Sequence, residues 1–134
     1  MKRVFVFLGL CLFALMFGLT YAGPAGAADE VVIGNILPLS GSAAPIGMVG
    51  RQVRELAVEE INGSGGIQSL GGAKIKMVYA DSRGDPKIAI SEAERLINVD
   101  NVSVITGAYQ SAVSFPSTEV AERYKVPYVV PVSV

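Results

Sequence analysis

Three observations point to an α/β fold built on a doubly wound parallel sheet. Short apolar runs alternate along the chain with stretches whose apolar residues recur every three to four positions. The first, third and fourth runs are almost continuously apolar, the pattern of strands buried on both faces. Turn and capping residues separate the two patterns, so each strand reaches the next through a helix, and such βαβ units pair their strands in parallel.

Taken in order, "VVIGNILPLSG" reads as a strand over Val31–Leu37, stopped by Pro38 and a Ser-Gly loop. "MVGRQVRELAVEEING" puts Val49, Val53, Leu56, Ala57 and Ile61 at helical spacing, with Asn62-Gly63 as the C-terminal stop. The loop "GSGGIQSLGGAK" is glycine-rich but short, a helix exit rather than a domain linker. "KIKMVYAD", Lys74–Asp81, is the second strand. The second helix starts with Asp85 as N-cap and Pro86 at the first helical position, where a missing amide costs nothing. Its inner face is Ala89, Ala93, Leu96 and Ile97. Val102–Thr106 is the third strand, a third helix runs from about Ser111 to Lys125, and "VPYVVPV" supplies the fourth strand.

The 134 residues are 51% hydrophobic and 17% charged, and the apolar excess sits at the front. Lys2 and Arg3 precede an uncharged run from Val4 to Leu19, which closes on Ala25-Gly26-Ala27-Ala28. A basic start, an apolar run and a small-residue exit mark a secretory signal peptide over residues 1–28, cut after Ala27 or Ala28. A membrane anchor needs about 20 apolar residues, and this run is shorter and ends in Gly and Pro. Lipidation at Cys11 is disfavoured by the bulky Leu10 before it. The remaining domain, residues 29–134, keeps nine basic and 12 acidic side chains, a net charge of −3 that suits no nucleic-acid partner. It has no cysteine, hence no disulfide and no thiol chemistry.

Catalytic and cofactor motifs do not fit. The glycine loop follows a helix and precedes a strand, the reverse of a dinucleotide-binding turn. The chain has no histidine to serve as base for Ser111 or Ser114, and no G-x-S-x-G elbow. Asp81 and Asp85 flank a strand-to-helix turn, where capping explains them better than a metal. No cofactor and no metal is expected. What remains are the loops at the carboxyl ends of the strands. For a strand order 2-1-3-4, the reversal lies between strands one and three, lined by "LPLSGSAAPIG" and "GAYQSAV". Both carry hydroxyls and lead into helix N-termini, whose free amides suit a carboxylate. Gly107 permits the tight turn. Ser111 reads either as an ordinary N-cap or as part of that anion site.

The same stretches resemble a family. "IGNILPLSGSAAPIGMVGRQVRELAVEEINGSGGI", "YADSRGDPKIAISEAERLI" and "VSVITGAYQSAVSFPSTEVAERYKVPYVVP" are similar, in this order, to the opening of the two-lobed periplasmic binding proteins of the leucine/isoleucine/valine type. The resemblance covers essentially Asp29–Val134. It implies a type I periplasmic binding lobe, here truncated after the fourth strand, in a non-enzymatic protein. It further implies a periplasmic substrate-binding component of an ABC importer for branched-chain or other small amino acids, with permease subunits of the inner membrane as partners. In residues, it implies that Ser111 binds a ligand carboxylate, helped by amides near Ala112 and Val113. A carbonyl near Val132 meets the ammonium, and Tyr109 belongs to the same loop. Val134 stands where many members have threonine, Ile46 where many have an aromatic that covers the ligand, and Gly84 and Gln110 where some have paired cysteines. A sensing receptor or amide-responsive regulator of the same fold is the alternative, and an exported enzyme a more remote one that the missing motifs oppose.

Overall fold

Strand β1, Glu30–Leu37, forms the centre of the sheet because its apolar side chains can be buried on both faces. The structure, a computed structural model, describes residues 30–133. The expected signal peptide and Val134 lie outside the described residues. β1 pairs in parallel with β2, Lys74–Asp81, from Glu30↔Lys74 to Leu37↔Asp81. On its other side it pairs with β3, Val104–Gly107, and β3 pairs with β4, Tyr128–Val129. The order is β2-β1-β3-β4, all parallel, as the alternating pattern predicts.

Two helices cover one face. α2, Pro86–Asn98, and α3, Ser111–Tyr124, pack on each other and enclose the core with Ile36 and Ile105. Ala89, Ala93 and Leu96 are buried as expected, and Ile97 packs against them. Asp85 caps α2, accepting from the amides of Lys87 and Ile88.

The other face carries α1, Ala44–Gly63, which packs on β2 and β1. It begins a turn before Met48, because Pro45 suits a first helical turn. The helix forms where the spacing predicts, yet much of its apolar stripe faces solvent: Val53 is 62% exposed and Leu56 66%. Among the described residues, α1 is alone on its face. Its end is clamped to the sheet by Asn62, whose amide donates to Ile75 O and accepts from Ile75 N, each at 2.8 Å.

Two strands differ from expectation. β3 begins at Val104 rather than Val102, since the Val102 amide is used on Leu96 O at the end of α2. β4 is two residues long, because Pro127 and Pro131 bracket it and neither has an amide to donate.

Candidate functional site

The strand order reverses between β1 and β3, and the loops leaving these two strands form the candidate site. Asp81, at the end of the neighbouring β2, fixes the first loop. Its Oδ1 accepts from the amides of Leu39 at 2.8 Å, Ser40 at 3.2 Å and Arg83 at 2.9 Å. Partial burial pushes this carboxyl upward, but hydrogen bonds from the Ser40 hydroxyl and the three amides outweigh it and hold it below its ordinary value. Asp81 is thus a loop anchor rather than a helix cap; of the two aspartates flanking the turn, Asp85 does the capping. The loop then approaches α1 closely at Gly47, where a Cβ would lie 1.9 Å from Pro38 O.

The second loop leaves β3 at Gly107, with φ 126°. A Cβ there would lie 2.0 Å from Ile36 O, so only glycine lets β3 end against β1. Beyond it, Ala108 and Tyr109 face a pocket of about 270 Å³. Ile46, Gly47, Val49 and Gly50 of α1 form another wall, Leu37 a third, and Val132 closes the side next to β4. Apart from the Tyr109 hydroxyl, the single polar side chain of the lining is Arg54, which donates to Gly50 O at 2.9 Å. Among the described residues, no carboxylate lines it.

The structure therefore brings Ile46, Tyr109 and Val132 together on one pocket, from three separate segments. Ser111 and Ala112 lie in the exposed first turn of α3. Two expectations need correction. Ser111 is not the N-cap: Gln110 holds that position with extended backbone, and no side chain caps the helix. Instead, Ser111 Oγ accepts from Ser133 Oγ at 2.9 Å. The Val113 amide is not open to a ligand either, since it donates to Gln110 O at 3.0 Å and its side chain is 1% exposed in the core. The amides without an intrahelical partner in that turn are those of Ser111 and Ala112. Val134 lies outside the described residues.

Leu37, Val49, Arg54 and Ser133 were not legible as site residues. Leu37 and Val49 read as ordinary strand and helix residues, and Ser133 depends on where the chain turns after β4. Arg54 follows Ile46 and Gly50 at successive four-residue steps, a signal that could have placed it on the same helix face. Gln110 packs against Gly84, where an added Cβ would sit 2.8 Å from Gln110 Nε2. The two positions at which the resemblance implies paired cysteines in other members are thus neighbours here. Among the described residues, no group of three His, Cys, Asp or Glu side chains is placed to hold a metal, and no helix is long and apolar enough to cross a membrane.

Comparison with known proteins agrees with this fold. Residues 30–134 match the family described as periplasmic binding protein. The Leu/Ile/Val-binding protein homolog 7 of Brucella abortus (strain 2308) is 40% identical over 117 residues, covering 87% of this chain and 28% of the relative. The substrate binding protein LivJ of a Streptococcus pneumoniae branched-chain amino acid transporter, solved with isoleucine, superposes with a TM-score of 0.73 at 30% identity, over 78% of this chain and 29% of that one. A solute binding protein of R. palustris solved with benzoate gives a TM-score of 0.68 at 28% identity, over 77% and 27% of the two chains. The chain spans less than a third of the length of these relatives. The match runs through every described element, and the chain belongs to the periplasmic binding protein family.

Proposed function

We propose that the chain contributes the first-lobe side of a binding site for a small carboxylate with an apolar body, foremost a branched-chain amino acid. In this reading it is the substrate-binding component of an ABC importer, working with permease subunits of the inner membrane. It is exported by cleavage of residues 1–28 and works in the periplasm as the domain from residue 29 to 134. The observation that carries the reading is an apolar pocket at the reversal of strand order, lined by the loop that leads into the N-terminal turn of α3. The helix end offers amides and positive potential to a carboxylate. Ile46, Val49, Tyr109 and Val132 offer an apolar wall to the rest of the ligand. The branched-chain relatives named above support the ligand class.

A second ligand is favoured by one detail. Among the described residues, the sole charge on the pocket wall is the cation of Arg54, which repels an ammonium group and suits an anion that has none, such as benzoate. Calorimetric titration of the full chain with L-leucine, L-isoleucine, L-valine, benzoate and L-aspartate tests both. Saturable binding of the branched-chain amino acids without L-aspartate is the expected result. Preference for benzoate, weakened by Arg54→Gln, assigns the site to aromatic acids. No saturable binding to any of the five rejects the proposal.

A further inference from the structure

Helix α3 carries four serine and threonine side chains, and three of them bond to the helix itself. Ser114 donates to Gln110 O, Ser117 to Val113 O and Ser114 O, and Thr118 to Phe115 O. Ser111 differs. Its Oγ receives a hydrogen bond from Ser133, which stands four residues beyond β4. Both serines are exposed, and among the described residues this bond ties the segment after β4 to α3. Each serine also stands close in sequence to a residue of the pocket wall: Tyr109 precedes Ser111 by two positions, and Val132 directly precedes Ser133.

A serine hydroxyl has one proton and two lone pairs. An oxygen that accepts from a neighbour keeps its own proton for another acceptor, and the donor polarises it toward giving that proton up. We infer that Ser133 is a positioning residue of the proposed ligand site, donating to Ser111 Oγ so that the Ser111 proton is aimed at the ligand carboxylate. The inference rests on the solute-binding reading above. It adds a side-chain role to the segment after β4, whose Val132 already lines the pocket. Ser133 acts through Ser111, so its removal should matter only while Ser111 is present.

The test is calorimetric titration of the full chain, with L-isoleucine and benzoate as probes, on wild type, Ser111→Ala, Ser133→Ala, Ser133→Thr and the Ser111→Ala/Ser133→Ala double variant. Loss of a hydrogen bond to a charged group should make Ser111→Ala weaker by about ten- to a hundredfold. Ser133→Ala should lose about three- to tenfold, the range for a neutral hydrogen bond. Ser133→Thr should restore affinity to within about twofold, and the double variant should bind no worse than Ser111→Ala alone. A merely structural role would lower the melting temperature, whereas exposed Ser133 should leave it within about 3 °C of wild type. Wild-type affinity in Ser133→Ala beside a clear loss in Ser111→Ala overturns the inference and leaves the solute-binding reading standing. Additive losses in the double variant overturn action through Ser111. Failure of wild type to bind either probe overturns both.

Discussion

Single side chains hold the site loops in place, and Asp81 shows how. One carboxylate oxygen accepts three backbone amides, from Leu39, Ser40 and Arg83. Asp81→Asn keeps the shape but loses the charge, and should cost about 1–2 kcal/mol of stability at neutral pH, below the full value for a buried charged bond because the group is partly exposed. The sign of the pH dependence follows from the lowered folded-state value. The unfolded carboxyl binds its proton first, so the contribution is complete above its ordinary value of 3.8 and is lost as pH falls through the folded-state value. Denaturant titrations of wild type and variant should therefore differ fully at pH 7 and converge as pH falls through the folded-state value, below 3.8. A constant difference across that range would show that charge is irrelevant at this position. Asp81 was legible as a turn residue from its place between strand and helix. Its long-range hold on Leu39, 42 positions away in sequence, was not, because strand pairing creates that proximity.

At the scale of elements, the joints between helices and strands are made by side chains acting as backbone. Asn62 at the end of α1 pairs with both polar groups of Ile75, extending β2 sideways where, among the described residues, no strand is available. Asn62→Ala should cost about 1–3 kcal/mol, since it leaves the amide and carbonyl of a partly buried residue unpaired. Asn62→Asp, which can accept but not donate, should lie between the two. Denaturation midpoints at an unchanged m value measure the loss, and a midpoint equal to wild type would show that water replaces the side chain freely. The sequence marked Asn62-Gly63 as a helix stop, which is right about its place and silent about its partner. In α3, likewise, Ser114 and Ser117 serve the helix, bonding carbonyls around Pro116, a residue without an amide of its own.

Across the molecule the two faces of the sheet are unequal. α2 and α3 bury Leu96 completely, while α1 leaves Leu56 66% exposed. Leu96→Ala should therefore cost about 2–5 kcal/mol, and Leu56→Ala should stay within about 0.5 kcal/mol. Thermal or denaturant unfolding of the two variants gives the comparison, and equal losses would mean that the α1 stripe is covered in solution. Amphipathic spacing predicted a helix in both places, and could not distinguish these outcomes. Periodicity reports which residues share a face, not what lies opposite.

The sequence by itself determined the element order and the parallel sheet, because period, capping residues and turn glycines are local signals that each stretch carries alone; the family followed from the resemblance of three of its stretches to known binding proteins. It also located the two loops at the reversal of strand order, since that follows from topology. Only the tertiary structure decided that Ile46, Tyr109 and Val132 line one pocket, that Arg54 joins them, and that Ser111 meets Ser133 rather than capping its helix. Those contacts join residues up to 86 positions apart, and their geometry depends on how far each loop turns before the next element begins.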